Sequence, residues 1–204
     1  MESIELAGKR KTQTERRTES EQALLTAAAE LLVEQGYNAA TFEKISQRAG
    51  YSASLVTSRF GSRDGLFIAI IDFLRIRLEA FVDLHTKSGD SGKGQLKSFS
   101  NAFLIQLDQD PLAKAYYVLL AAAVANQLPQ QRYFFEQHER IKQRLSEIIL
   151  AGRQDGSVIE QVDTHQMATA IGCFHLGIAM QLQLDQTMSA FEIGLGLQLL
   201  EDAL

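Results

Sequence analysis

Apolar residues recur at helical spacing along most of this 204-residue chain, and only two prolines, Pro111 and Pro129, interrupt it. Proline lacks a backbone donor and clashes inside a helix, so its scarcity permits long uninterrupted helices. No stretch shows the strict polar and apolar alternation of a half-buried strand. The spacing therefore predicts an all-α fold, and the 46% apolar content is ample for a sizeable core.

Charge and cysteine usage narrow the classes further. With 20 Lys and Arg against 25 Asp and Glu the net charge is −5, so nucleic-acid binding must rest on a local surface rather than on bulk charge. A single cysteine, Cys173, rules out an internal disulfide and suits a reducing compartment. The polar start, Met1 to Arg17, lacks the apolar segment of a secretory signal. The longest apolar run, Ala115 to Ala125, has 11 residues, too short for the roughly 18 or more that cross a bilayer. No membrane association and a cytoplasmic location are expected.

Residues 1–65 carry 9 basic and 9 acidic side chains, whereas residues 66–204 carry 11 and 16, so the acidic excess belongs to the larger part. Lys9, Arg10, Lys11, Arg16 and Arg17 against Glu15 give the opening segment a local positive charge, and residues 1–18 read as a flexible basic arm. Periodicity then begins after Ser20 with Leu24, Ala28 and Leu31 and stops at Gly36. Thr41 is placed to cap a short helix through Phe42, Ile45 and Ala49 that ends at Gly50, and Ser52 to cap the next, about 53–59, which buries Val56 and Phe60. A fourth helix runs from Arg63 into the 80s. Ser88 to Gly94 reads as loop, and further helices are expected near 95–108, 111–127, 129–152, 163–184 and 189–202, about nine in all.

Two short helices around a tight turn at Gly50, Tyr51 and Ser52, backed by a third, make a three-helix helix-turn-helix unit over 19–65. Residues 66–204 form a larger helical domain. The segment Ala28 to Leu66, A-x-x-L-L-x-x-x-G-Y-x-x-x-T-F-x-x-I-S-x-R-A-G-Y-S-x-x-x-V-x-x-R-F-G-S-R-D-G-L, resembles the amino-terminal domain of TetR-family transcriptional regulators. Thr41, Ile45, Ala49, Gly50, Ser52, Phe60, Ser62 and Leu66 carry the likeness. The remainder agrees in helix count and in the turn Gly152 to Gly156 before the penultimate helix. The resemblance implies a regulator, by default a repressor, that binds a palindromic operator in double-stranded DNA as a homodimer. It also implies release by a small-molecule effector bound in the second domain, with no cofactor, no catalysis and no metal.

Position by position, Thr41 and Arg63, the latter where the family usually has Lys, are placed to hold phosphates. Ser52, Ala53, Ser54, Leu55, Thr57 and Ser58 would face the major groove, with Arg59 reaching a base edge or backbone oxygen and Leu55 a thymine methyl. The family's usual Lys and Tyr are here Ala53 and Thr57, which removes two backbone contacts that the basic arm would replace.

The last two helices are expected to form the dimer seam, through Ala168, Ile171, Gly172, Phe174, Ile178, Ala179 and Leu182 on one and Ile193, Gly194, Leu197 and Leu200 on the other. Small residues there suit close backbone approach. Tyr116, Tyr117, Asn126, Cys173, His175 and Gln181 are the candidate polar groups of an effector site, and the apolar surroundings favour an uncharged or amphipathic ligand. An enzyme is disfavoured: Cys173 and His175 lie two residues apart, about 200° round a helix, and no phosphate loop or metal spacing appears. An all-helical small-molecule-binding protein with weakened or lost operator binding is the alternative, and operator binding separates the two.

Overall fold

A computed structural model of the chain describes residues 12–85, 90–185 and 187–204. The described residues form nine α-helices and one 3-10 turn, and contain no strand. The first helix, α1, spans Gln13–Gln35 and begins earlier than the periodicity suggests. Thr12 accepts from the Glu15 amide while the Glu15 carboxylate accepts from the Thr12 amide, so a capping box starts the helix in a polar segment where no apolar stripe marks it. Arg16 and Arg17 therefore stand exposed on α1 and do not belong to an arm. Lys9, Arg10 and Lys11 lie outside the described residues.

A 3-10 turn, Tyr37–Ala39, leads to α2 (Phe42–Ala49) and α3 (Ala53–Phe60). Thr41 and Ser52 cap them as expected, accepting from the Lys44 and Leu55 amides. Gly50 takes the left-handed conformation between them, φ 74° and ψ 27°, which a side chain would strain. Ile45 and Val56 are fully buried in the core to which α1 contributes Leu24, Ala28 and Leu32 and the next helix Leu66. These contacts fix the angle at which α3 is presented.

The fourth helix, α4, runs unbroken from Arg63 to His85 and is shared by both halves of the molecule. Then follow α5 (Gly92–Gln109), α6 (Ala113–Ala125), α7 (Gln130–Gln154), α8 (Thr164–Leu184) and α9 (Ala190–Asp202). Helix α5 starts inside the stretch read as loop. Ser91 caps it, and Gly92 lies so close to α7 that a Cβ there would sit 2.1 Å from the Gly152 nitrogen. Only two glycines tolerate such a crossing. The freed amides of α5 are then satisfied from the turn after α7, Gly92 donating to Asp155 Oδ2 at 2.7 Å and Lys93 to Ser157 Oγ at 3.1 Å.

Helix α5 is central to the second half, packing on α4, α6, α7, α8 and α9. By length and composition α8 is long and apolar enough to span a bilayer, a test that core helices also pass, and here Ala168, Ile171, Ile178 and Ala179 are buried. The core does not divide at residue 65. Helix α6 packs on α1 as well as on α4, so the buried residues form one continuous cluster from Leu24 to Leu204.

Candidate nucleic-acid interface and ligand cavity

Helix α3 shows solvent a face of small groups: Ala53, Ser54, Thr57 and Ser58 are all exposed. Their spacing, one and then three positions apart, puts them on one side of the helix. Ser54 Oγ lies 2.9 Å from Ser52 Oγ, Thr57 donates to the Ala53 carbonyl and Ser58 to the Leu55 carbonyl. Each hydroxyl oxygen keeps acceptor capacity and can rotate to donate. A face this shallow brings the helix backbone close to whatever it docks on, with hydroxyls as its reading groups.

Two predicted members of that face point elsewhere. Arg59 is three residues after Val56 and so shares its inward side; its Nη2 reaches Ser20 Oγ on α1 at 3.4 Å. Leu55 is half-buried and packs against the core rather than standing free. Helix α3 packs on α2 and α4, and only the Arg59 guanidinium is seen reaching across to α1.

Arg63, at the start of α4, is exposed and held from three directions. Its Nη2 donates to the Tyr37 carbonyl at 3.1 Å, and its guanidinium sits 4.5 Å from the Tyr37 ring centroid and 5.1 Å from that of Phe67. The stacking fixes a side chain that would otherwise be flexible, which preorganises a cation beside α3. Sequence reasoning missed Tyr37, which holds this guanidinium. Lys44 and Arg48 on α2 are already engaged, with Gln35 and with Glu34 and Glu30. Thr41 keeps a hydroxyl hydrogen to donate while its oxygen caps α2.

The second half holds a partly open cavity of about 280 Å³ walled by α4, α5, α6, α7 and α8. Four of the predicted effector residues line it: Tyr116, Tyr117, Cys173 and His175. Asn126 does not, since it ends α6 exposed and donates to the Ala122 carbonyl. Gln181 does not either; it is exposed near the end of α8. Most of the wall is apolar, including Leu74, Leu78, Phe99, Phe103 and Leu176.

Burial holds His175 neutral, depressing its pKa to about 3. Its ring stacks on Phe99 and Phe103, and its Nε2 is 3.2 Å from Ser100 Oγ, which in turn donates to the buried Glu201 carboxyl of α9. Desolvation raises Glu201 to about 7. Desolvation likewise lowers His138 and raises the Tyr116 and Tyr117 phenols. The sequence analysis also missed Gln137, which lines the cavity and is only 2% exposed. No group of three or more His, Cys, Asp or Glu among the described residues is placed to hold a metal.

The expected dimer seam falls mainly inside the protomer. Ala168, Ile171, Ile178, Ala179, Leu182 and Leu197 are buried in its own core, Gly194 is packed against Leu104, and Leu200 is half-buried. Gly172 lines the cavity, and the side chain of Ile193 lies outside the described ones. Of the predicted set only Phe174 is well exposed, at 44%. The apolar stripe that α8 and α9 leave to solvent runs instead through Phe174 and Leu184 and through Phe191, Leu195 and Leu199. A Cβ on Gly196 would lie 3.8 Å from the Phe174 ring, so the two stripes adjoin.

An outward helix-turn-helix, joined by one continuous helix to an all-helical domain with a cavity, is the architecture of a DNA-binding transcriptional regulator. Residues 24–70 match the family model described as bacterial regulatory proteins, tetR family, which places the amino-terminal domain in that family. The fold extends the likeness to the rest of the chain. The fatty acid degradation regulator FadR from Bacillus halodurans is 18% identical with a TM-score of 0.76, over 96% of this chain and 98% of that one. A TetR transcription regulator from Haloarcula marismortui is 16% identical at 0.77, over 91% and 96%. A TetR transcriptional regulator from Chloroflexus aurantiacus is also 16% identical at 0.77, over 92% and 94%. No curated protein sequence matches the chain.

Proposed function

We propose that the chain is an operator-binding repressor that works as a homodimer and leaves its DNA when a small, largely apolar molecule fills the cavity. The observation that carries this is α4: its first turn presents Arg63 beside the recognition helix, and Leu74, Arg75 and Leu78 two to four turns later form part of the cavity wall. A ligand that favours one position of α4 favours one placement of α3, and coupling between the two sites is then reciprocal. Ala53, Ser54, Thr57 and Ser58 would read base edges, Thr41 and Arg63 would hold phosphates, and Ser52 would keep the first turn of α3 in register.

One short helix with a shallow face reads few bases, so two copies on a palindrome are required for useful specificity. The adjoining stripes of α8 and α9, Phe174, Leu184, Phe191, Leu195 and Leu199, supply the apolar surface that a second copy would cover. This reading puts the protein in the cytoplasm, where its operator is.

Selection of bound duplexes from a random pool by the full chain at moderate salt tests the reading. A palindromic enriched site is expected, with half-sites about one helical turn or more apart. Salt-sensitive binding without enrichment would overturn it in favour of a helical small-molecule-binding protein, a reading favoured by the absence of any long cationic side chain on the exposed face of α3.

A further inference from the structure

The polar groups that wall the cavity come from α4, α5, α6, α7 and α8, and several are already engaged or sealed. Arg75 pairs with Glu79 and Asp72, Lys142 pairs with Glu139, and Thr169 donates to the His165 carbonyl. The Gln137 amide and the Tyr116 hydroxyl are closed off from solvent. His175 differs from all of these. It is 5% exposed, its Nε2 faces Ser100 Oγ at 3.2 Å, and its Nδ1 has no hydrogen-bond partner among the described residues and yet is not closed off. Because the ring lines the cavity, stacked on Phe99 and Phe103, this open nitrogen is the polar atom that it offers to an occupant.

Ser100 links His175 to Glu201 of α9, which is 1% exposed. An ionised carboxylate only accepts, so Ser100 gives its single hydrogen to Glu201 and its oxygen takes the Nε2 hydrogen of a neutral imidazole; Nδ1 is then a bare acceptor. A protonated carboxyl can donate to Ser100 Oγ, whose own hydrogen then goes to Nε2. The ring proton now sits on Nδ1, which becomes a donor. The imidazole is neutral in both arrangements, and the one proton gained is held at Glu201. Helix α9 packs on α5 and α8. Its charged neighbours are Lys97 of α5 and Asp202 of α9, paired with each other, and Lys93, which donates to the Asp202 carbonyl; from α8 comes His175, kept neutral by burial. Desolvation dominates and raises Glu201 to about 7, so both forms are sampled near neutrality. Across the cavity, burial disfavours the His138 cation and raises the Tyr116 and Tyr117 phenols.

Resting on the effector reading above, we infer that His175 is the hydrogen-bonding contact for an uncharged, largely apolar ligand, and that Ser100 and Glu201 are positioning residues that set the direction of that bond. Nδ1 accepts from a ligand hydroxyl when Glu201 is ionised and donates to a ligand carbonyl when Glu201 is protonated. An alcohol suits either arrangement, since its oxygen accepts and its hydrogen donates. A ketone suits only the second; beside ionised Glu201 it sets two acceptors against each other in a buried site. The ligand class favoured above neutrality is therefore an apolar alcohol.

The test is calorimetric binding of octan-2-ol and octan-2-one to the full chain, without DNA, from about pH 6 to about pH 8.5. Both compounds are uncharged throughout, so any pH dependence belongs to the protein. Octan-2-one is expected to lose about tenfold in affinity as pH rises, the value of one buried polar contact left unmatched, while octan-2-ol stays within about twofold. Glu201→Gln and Ser100→Ala, each checked for native helicity by circular dichroism, should flatten the ketone profile to within about twofold. A ketone affinity that does not vary with pH in the parent chain, a parallel loss of both compounds, a profile that survives either substitution, or no binding by either compound would each overturn the inference. The expected pattern with unchanged operator affinity would leave it standing and refute effector release instead.

Discussion

Glu201 is the one carboxylate of the second domain that folding takes fully out of water, at 1% exposure, with Ser100 donating to it and Lys97 and Asp202 as its charged neighbours. Its pKa rises from 4.5 to about 7, chiefly through desolvation. A folded-state pKa above the unfolded value means that the native protein holds the proton more tightly, so this contribution is complete below pH 4.5 and is lost by about pH 7. At about 1.4 kcal/mol per pH unit, that interval sets a ceiling of about 3 kcal/mol. His175 works in the opposite sense: lowered from 6.5 to about 3, it adds stability as pH rises between those values. The two slopes oppose each other from 4.5 to 6.5, which masks both in the parent protein. Glu201→Gln keeps a hydrogen-bonding group of the same shape and removes the titration. Urea unfolding at fixed protein concentration, from pH 5.5 to 8.5, should show the variant gaining on the parent by about 2 kcal/mol as pH rises. A stability difference that stays constant across that range would refute the buried-carboxyl argument.

Arg63→Ala should weaken operator binding about equally for all sequences and reduce the salt slope by about 1, measured by titration at several ionic strengths; a selective loss at one base position would mean that Arg63 reads sequence. Gly92→Ala should lower stability by about 1–3 kcal/mol or more in urea unfolding, because its Cβ meets the backbone of Gly152, which cannot rotate away. If the chain dimerises through α8 and α9 as proposed, Leu195→Glu, on a side chain that is 58% exposed, should give a helical monomer in sedimentation velocity where the parent sediments as a dimer, and an unchanged dimer would move the interface elsewhere.

What the sequence discloses and what it hides follow from the range of the interactions involved. The helix-turn-helix is written in local signals, namely Thr41 and Ser52 as caps, Gly50 as the left-handed turn, and Ile45 and Val56 as buried anchors, so its boundaries are recoverable without tertiary knowledge. Helix α8 is apolar on several sides, and periodicity cannot tell which stripe meets α5 and α7 and which meets solvent. The expected seam therefore took core residues such as Ile171 and Ala179 and passed over Leu195 and Leu199. Gln137 was invisible for the converse reason: a glutamine on a polar helix reads as surface until α6 and α8 close over it.

The same packing links the two sites by a second route besides α4. Tyr116 meets the cavity and stands edge-on to Phe134 at 5.0 Å. Phe134 shares a small interhelical gap with Tyr37 and Phe67, the two rings on which Arg63 stacks. One turn earlier on α7, Gln130 donates to Asp64 in the first turn of α4 at 2.7 Å. The start of α4 is thus held by α6 and α7 as well as by the helix-turn-helix, and both α6 and α7 also wall the cavity. A ligand that shifted α6 or α7 would act on both anchors of that first turn at once. Close packing passes on such a shift as a change between discrete arrangements rather than absorbing it.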